Sequence, residues 1–242
     1  MSNTTIIHNS DQAKLFADVA RLFASAVRAS TEARIVCALP GGRSIVGVLH
    51  ALSAEAGLLE EPMWKKLDFF MIDERMVPLE SPDSNFKLLH ENLFGKLMEL
   101  NLIRSEQLHP FILEPSTADR GLARYENELH KVGGRFHISF LGVGEDAHVA
   151  ALFPNKSETA ERGQKFLAFD DSPKPPPHRM TASRDRIVES DVAFALFVGE
   201  GKREAFQKYR AAGGTEMECP AKLLDAVKQA YAVTDLLEGP TK

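Results

Sequence analysis

The chain has 242 residues, 44% of them hydrophobic and 26% charged, with a formal net charge of −5. That length can bury a substantial core, and the negative balance argues against general nucleic-acid binding, so any site for an anionic ligand has to be a local basic pocket. No long apolar span occurs and Met1–Asn9 lacks a charged-then-apolar leader, which argues against membrane insertion and export and gives a cytoplasmic expectation.

In chain order, Ser10 is placed to cap a helix whose apolar face runs through Phe16, Val19, Ala20, Phe23 and Val27. Arg34–Leu39 reads as a buried strand, Pro40-Gly41-Gly42 as a turn, and Ile45, Val48, Leu49 and Leu52 as the stripe of a second helix. Asp68–Ile72 is the next strand, followed by a loop over Asp73–Pro78. Ser84 then caps a helix carrying Leu88, Leu89, Leu93 and Phe94. Ala118, Leu122, Tyr125 and Leu129 mark a helix that stops near Gly133-Gly134, and Phe136–Leu141 is a short apolar strand. Val192–Val198 is another strand, Lys202–Arg210 a helix, Pro220 the start of a helix through Leu223, Leu224 and Val227, and Tyr231–Val233 a last short strand. With no linker and no repeat, this alternation predicts one α/β domain over 1–242: an open, mostly parallel sheet flanked by helices. Cys37 and Cys219 are too few and too far apart for a disulfide framework or a zinc knuckle and read as structural or incidental.

Ligands of such folds sit beyond the carboxyl ends of the strands. Each chemically rich segment falls there. Gly41-Gly42-Arg43-Ser44 leads into a helix, so backbone amides and two side-chain donors can face an anion, although the spacing fits neither a P-loop nor a dinucleotide fingerprint. Asp73-Glu74-Arg75 follows the next strand, with Ser84-Asn85 opening a helix. Two carboxylates beside an arginine at a strand end are costly unless paired or exposed. Gly142-Val-Gly-Glu-Asp146-Ala-His148 delivers a histidine two residues after a carboxylate that can orient its ring, and a neutral imidazole takes a proton from water near pH 7. Pro173–Pro177 stiffens the approach to Arg179, and Gly199–Arg203 places Lys202 between a strand and a helix. Singly, each segment also reads as an ordinary turn, salt bridge or surface loop.

Together, Gly41-Gly42, Asp73-Glu-Arg-Met-Val-Pro78 with Ser84-Asn85, Leu141-Gly-Val-Gly-Glu-Asp-Ala-His148 running to Leu152-Phe-Pro154, Pro175-Pro-Pro-His-Arg-Met-Thr181 and Gly201-Lys202 stand in an order that resembles the 6-phosphogluconolactonase family. The resemblance spans nearly the whole chain and lies within the wider sugar-phosphate isomerase and deaminase superfamily. It implies a hydrolase of carbohydrate metabolism that opens 6-phosphogluconolactone to 6-phosphogluconate in the oxidative pentose phosphate pathway. No cofactor is implied, the partner being a small phosphorylated sugar lactone rather than a nucleic acid or a membrane. By that resemblance His148 is the general base, Asp146 supports it, Arg75 or backbone amides meet the charge on the carbonyl oxygen, and Asp73 and Asn85 shape the sugar site. Gly41, Gly42, Arg43, Ser44, Arg179 and Lys202 would hold the phosphate. No HExxH or clustered Cys/His spacing offers a metal site.

Two departures from the family pattern stand out. Gly41-Gly-Arg-Ser-Ile45 replaces a Gly-Gly-Ser-Thr-Pro loop, and Ala147 replaces the glycine of an Asp-Gly-His run, which suggests altered backbone geometry beside the base. A glucosamine-6-phosphate isomerase and deaminase is the nearest alternative, but that chemistry uses a Glu soon after the histidine, and here none occurs before Glu158. A non-catalytic sugar-phosphate sensor is the other alternative. Such regulators carry a DNA-binding module, for which a chain entering its first core helix near Ser10 leaves no room.

Overall fold

The computed structural model describes residues 4–236. Its strands are β1 (Thr4–His8), β2 (Ile35–Leu39), β3 (Leu67–Met71), β4 (Asp73–Arg75), β5 (Leu108–His109), β6 (Ile138–Gly142), β7 (Phe166–Phe169), β8 (Arg179–Ala182), β9 (Val192–Phe197) and β10 (Gln229–Thr234). Seven form one sheet in the order β1-β10-β9-β6-β2-β3-β5, every neighbouring pair parallel. The expected α/β architecture with a parallel sheet and flanking helices is therefore what the chain adopts. No helix among the described residues is long and apolar enough to cross a membrane.

The central strands are apolar from end to end because helices cover both faces. Residues of β2, β3 and β9 are all buried. The exception in sequence, Asp68 of β3, is satisfied by Arg34, whose Nε lies 2.6 Å away, and by His109 Nε2 at 2.9 Å. At the end of β3, Tyr125 hydroxyl accepts from the Met71 amide (2.6 Å) and donates to its carbonyl (3.0 Å), so no further sheet partner is needed there. The chain then leaves the main sheet. Asp73-Glu-Arg, expected as loop, is β4 of a second sheet, β4-β8-β7, which is antiparallel.

Helix α1 (Gln12–Ala29) buries Val19, Ala20, Phe23 and Val27 as the spacing predicts, but Asp11 rather than Ser10 caps it, accepting from the amides of Ala13 and Lys14. Helix α2 (Arg43–Ala54) buries Ile45, Val48, Leu49 and Leu52. Ser84 caps Asn85–Leu89 as expected, and π-helical turns over His90–Phe94 carry that rod into Gly95–Glu99. The helix expected from Ala118 begins at Leu122. Asp119 takes the amides of Gly121 and Ala123, and Gly121 at φ 96° breaks the helical run, leaving Ala118 exposed. Pro220–Ala226 is 3₁₀ rather than α-helical, its start tied by the Ala221 amide to the Ala147 carbonyl at 3.0 Å.

Candidate active site

The chain builds outward from β2 through β3 to β5, then returns to β6 on the other side of β2 and continues to β9 and β10. Between β2 and β6 the direction of build reverses, which opens a crevice at the carboxyl ends of both strands. A cleft of about 440 Å³ lies there. Ten of the eleven expected site residues line it: Gly41, Gly42, Arg43, Ser44, Asp73, Arg75, Asn85, His148, Arg179 and Lys202. The eleventh, Asp146, stands behind His148.

After β2 the chain turns through Gly41 and Gly42 into α2. No side chain caps this helix, and the amides of Gly42, Arg43 and Ser44 have no partner among the described residues. An anion in the cleft would meet them and the positive end of the helix. Gly41 has to lack a side chain because a Cβ there would lie 1.8 Å from Asn85 Oδ1. The loop before α2 and the Asn85 side chain are thus packed against each other.

Asn85 is held in turn by β4, its amide nitrogen donating to the Asp73 carbonyl at 2.8 Å. Asp73 is 7% exposed, and burial raises its carboxyl above the usual range against the pull of Arg75, Arg179 and His148. Glu74, a neighbour with no assigned role, is 1% exposed and accepts from the amides of Arg75 (2.7 Å), Asn85 (2.7 Å) and Phe86 (2.8 Å). It anchors the start of helix Asn85–Leu89 to β4. Burial outweighs those bonds and lifts its pKa to about 7. Arg179, 4% exposed, stands directly opposite Arg75 on the β4–β8 ladder.

The loop after β6 doubles back on itself: the Gly144 amide donates to the His148 carbonyl (2.8 Å) and the Ala147 amide to the Gly144 carbonyl (3.0 Å). Ala147 is buried at φ 73°, the left-handed region a glycine would enter freely, so its methyl is held in a strained backbone. Within this turn His148 Nδ1 lies 2.5 Å from Asp146 Oδ1. Burial opposes ionisation of Asp146, but its bond to His148 and the charges of His148 and Lys174 hold the carboxyl well below the usual carboxylate range. An acceptor at Nδ1 keeps the proton there and leaves Nε2 as the basic nitrogen. Gly144 is packed so closely that a Cβ would come within 2.0 Å of His148 Nδ1.

Lys202 is acted on by Glu145, Lys174, Asp146 and Arg43, burial pushing its ammonium pKa down. Arg179 is acted on by Arg75, Asp73, Glu74 and Asp83. Lys174 and Glu145 line the cleft without having been singled out in the sequence. Lys174 Nζ lies 3.7 Å from the same Asp146 oxygen that binds His148. Its proline-rich surroundings drew attention to Arg179 alone, although a lysine leading a stiff Pro-Pro-Pro run was a usable signal. Among the described residues no group of three or more His, Cys, Asp or Glu side chains is arranged to hold a metal ion.

Fold and cleft together define an α/β protein with a cleft rich in cationic side chains and a histidine–carboxylate pair at the switch point of its sheet. The family model for glucosamine-6-phosphate isomerases and 6-phosphogluconolactonases matches residues 10–233, and the chain belongs to that family. A 6-phosphogluconolactonase of Borreliella burgdorferi is 30% identical over 196 residues, 81% of each chain. The structure of the Trypanosoma brucei 6-phosphogluconolactonase superposes with a TM-score of 0.80 at 25% identity, covering 97% of both chains. A monomeric glucosamine-6-phosphate deaminase shares the fold, with a TM-score of 0.75 at 17% identity over 96% of this chain and 97% of its own.

Proposed function

We propose that the protein hydrolyses 6-phosphogluconolactone to 6-phosphogluconate, the lactone-opening step of the oxidative pentose phosphate pathway. The observation that carries this reading is the His148–Asp146 pair, with His148 lining a cleft that also carries Arg43, Arg75, Lys174, Arg179 and Lys202, the free amides at the start of α2, and the polar side chains of Asp73 and Asn85. His148 Nε2 takes a proton from water as the water oxygen attacks the lactone carbonyl carbon, C1. Asp146 holds the ring and offsets the imidazolium charge. Charge on the carbonyl oxygen is met by guanidinium donors, Arg75 among them. The bond from C1 to the ring oxygen breaks, and protonated His148 returns its proton to that oxygen as a hydroxyl. The acid formed at C1 then ionises to solvent. Gly41, Gly42, Arg43, Ser44 and Lys202 hold the phosphate, and Asp73 and Asn85 border the sugar. Arg179, which the family resemblance also sets on the phosphate, stands opposite Arg75 on the β4–β8 ladder and donates to the carbonyls of Lys174 and Pro175.

A deaminase reading lacks its acid relay. The first glutamate after His148, Glu158, lies in the short helix Ser157–Ala160 and does not line the cleft. The test is lactone hydrolysis measured against the spontaneous background, with glucosamine 6-phosphate as the competing substrate. Hydrolysis no faster than background, from folded protein, would reject the proposal.

A further inference from the structure

Two parts of the cleft wall hang on different strands, since β2 leads into the Gly41-Gly42 turn and β6 into the turn carrying His148. The seam between those strands is short: Cys37↔Ile138 and Ala38↔Ser139 are in register, whereas five pairs join β6 to β9. At the amino end of the seam a side chain takes over from the ladder. His137, 4% exposed, donates its amide to the Val36 carbonyl (2.9 Å), and its ring nitrogen Nδ1 accepts from the Val36 amide (2.9 Å). The His137 carbonyl accepts from the amides of Asp191 and Val192, both at 3.0 Å, so this one residue ties β2, β6 and the start of β9 together. A backbone N–H only donates, which makes Nδ1 the unprotonated nitrogen and leaves the ring hydrogen on Nε2. Nε2 lies 3.9 Å from Glu32 Oε1, and both residues line a cavity of about 310 Å³ with Arg135, Asp191 and Lys228.

We propose that His137 is an acid-sensitive pin across the β2–β6 seam: a proton taken up at Nδ1 removes the acceptor of the Val36 amide and loosens the join between the strands that carry the two turns of the site. The protonated ring would set one donor against another where neither reaches water, so the bond is lost rather than weakened. Charged groups face the ring from several elements. Arg135 opposes an imidazolium there, while Glu32, Asp191 and Asp68 favour it. Arg135 is itself paired with Asp191 at 2.7 Å and Glu32 at 3.5 Å, and Lys228 lies 3.7 Å from Asp191. Burial is the largest influence and holds the ring below its ordinary value of 6.5. A histidine kept neutral by the fold binds fewer protons than it does unfolded. The pin is therefore whole above 6.5 and is lost as pH falls through the lowered value. Val36 and His137 stand at the opposite ends of their strands from the cleft, so the pin touches no reacting group.

The test reads the Val36 amide by hydrogen exchange, corrected for the intrinsic effect of pH, beside titration of the His137 ring followed by NMR. As the ring takes up its proton in the parent, protection of Val36 should fall by about 3- to 10-fold, the usual worth of one hydrogen bond, with the same midpoint. Ala195, in the middle of β9 with β6 on one side and β10 on the other, should keep its protection, which separates a local release from global unfolding. Glu74 also titrates near neutral pH, so a global denaturation curve would mix the two groups where this local readout does not. His137→Asn, whose side-chain oxygen accepts the same bond without titrating, should show no step at Val36. A ring that titrates while Val36 stays protected would overturn the pin, as would a step of equal size in His137→Asn or a ring that takes no proton before the whole chain unfolds. The first and last of these are read on the parent alone and decide the matter even if the variant folds poorly.

Discussion

Removing the imidazole, as in His148→Ala, isolates the contribution of the base. The cations, the free amides at α2 and the Asp73–Asn85 edge all remain, so ground-state binding should change little and KM should stay within a few-fold. A positioned general base contributes roughly 100- to 10,000-fold, about 3 to 5 kcal/mol of barrier, and that loss should fall on kcat. Asp146 bonds His148 Nδ1 at 2.5 Å and has Lys174 Nζ 3.7 Å away, so the part of its effect on kcat that runs through the ring should vanish once the ring is gone. Asp146→Ala should therefore lower kcat in the parent, and the double variant should be no slower than His148→Ala alone. The assay is continuous lactone hydrolysis with the spontaneous rate subtracted, with circular dichroism to confirm folding. A folded His148→Ala protein within a few-fold of the parent would remove His148 from the role, and additive losses in the double variant would show that Asp146 acts by another route.

Lys202→Ala should raise KM more than it lowers kcat, cutting kcat/KM by about 10- to 100-fold on the phosphorylated lactone, with little effect on a lactone lacking the phosphate; equal losses on both would move Lys202 off the phosphate. Gly144→Ala places a methyl where His148 Nδ1 lies 2.0 Å away, so the ring must shift, and displacement on the scale of 1 Å predicts about a 100-fold loss of kcat in a folded protein. Full activity in that variant would mean that the ring position is not critical. Glu74 is raised from 4.5 to about 7 on folding, so its protonated form is favoured: the stability it contributes is fully present below about pH 4.5 and is lost as pH climbs through about 7. Denaturation midpoints between those values should fall with pH in the parent and fall less in Glu74→Gln; parallel profiles would contradict this. Ala147→Gly relieves a left-handed φ worth about 1–2 kcal/mol but gives up a buried methyl of about 0.8 and adds about 0.5–1 of chain entropy, so unfolding free energy should change by less than about 1 kcal/mol. A loss well beyond that would mean Ala147 packs in a way its backbone does not reveal.

The parallel sheet was legible because β2, β3, β6 and β9 are short apolar runs, each ended by glycine or charge, and the residues beyond those ends were legible as site candidates for the same reason. What escaped has physical causes. β5 is two residues long, and β7 and β4 belong to an antiparallel sheet whose partners lie up to about a hundred residues apart, a pairing that no local pattern encodes. β1, a run of β-branched residues, was read only for the leader it lacked. The opposition of Arg75 and Arg179 depends on that second sheet, so both residues could be nominated from sequence but not their juxtaposition. The way Glu74 is satisfied could not be read either, because its partners are backbone amides, which sequence does not display. At Ala147 the departure from glycine does not abolish the tight turn, since the alanine itself takes the left-handed conformation.

β1 is joined to the rest of the sheet through β10 alone, and its pattern of exposure leaves it little to lose by coming away. Amide protons there should exchange on a far shorter clock than those of β6, because opening one edge strand sacrifices few buried contacts. Two strands, β10 and β9, stand between that edge and the turn carrying His148, so fraying is damped before it reaches the base. Lys202 follows β9, one place nearer the edge. Of the two, Lys202 should therefore feel opening of that edge before His148 does.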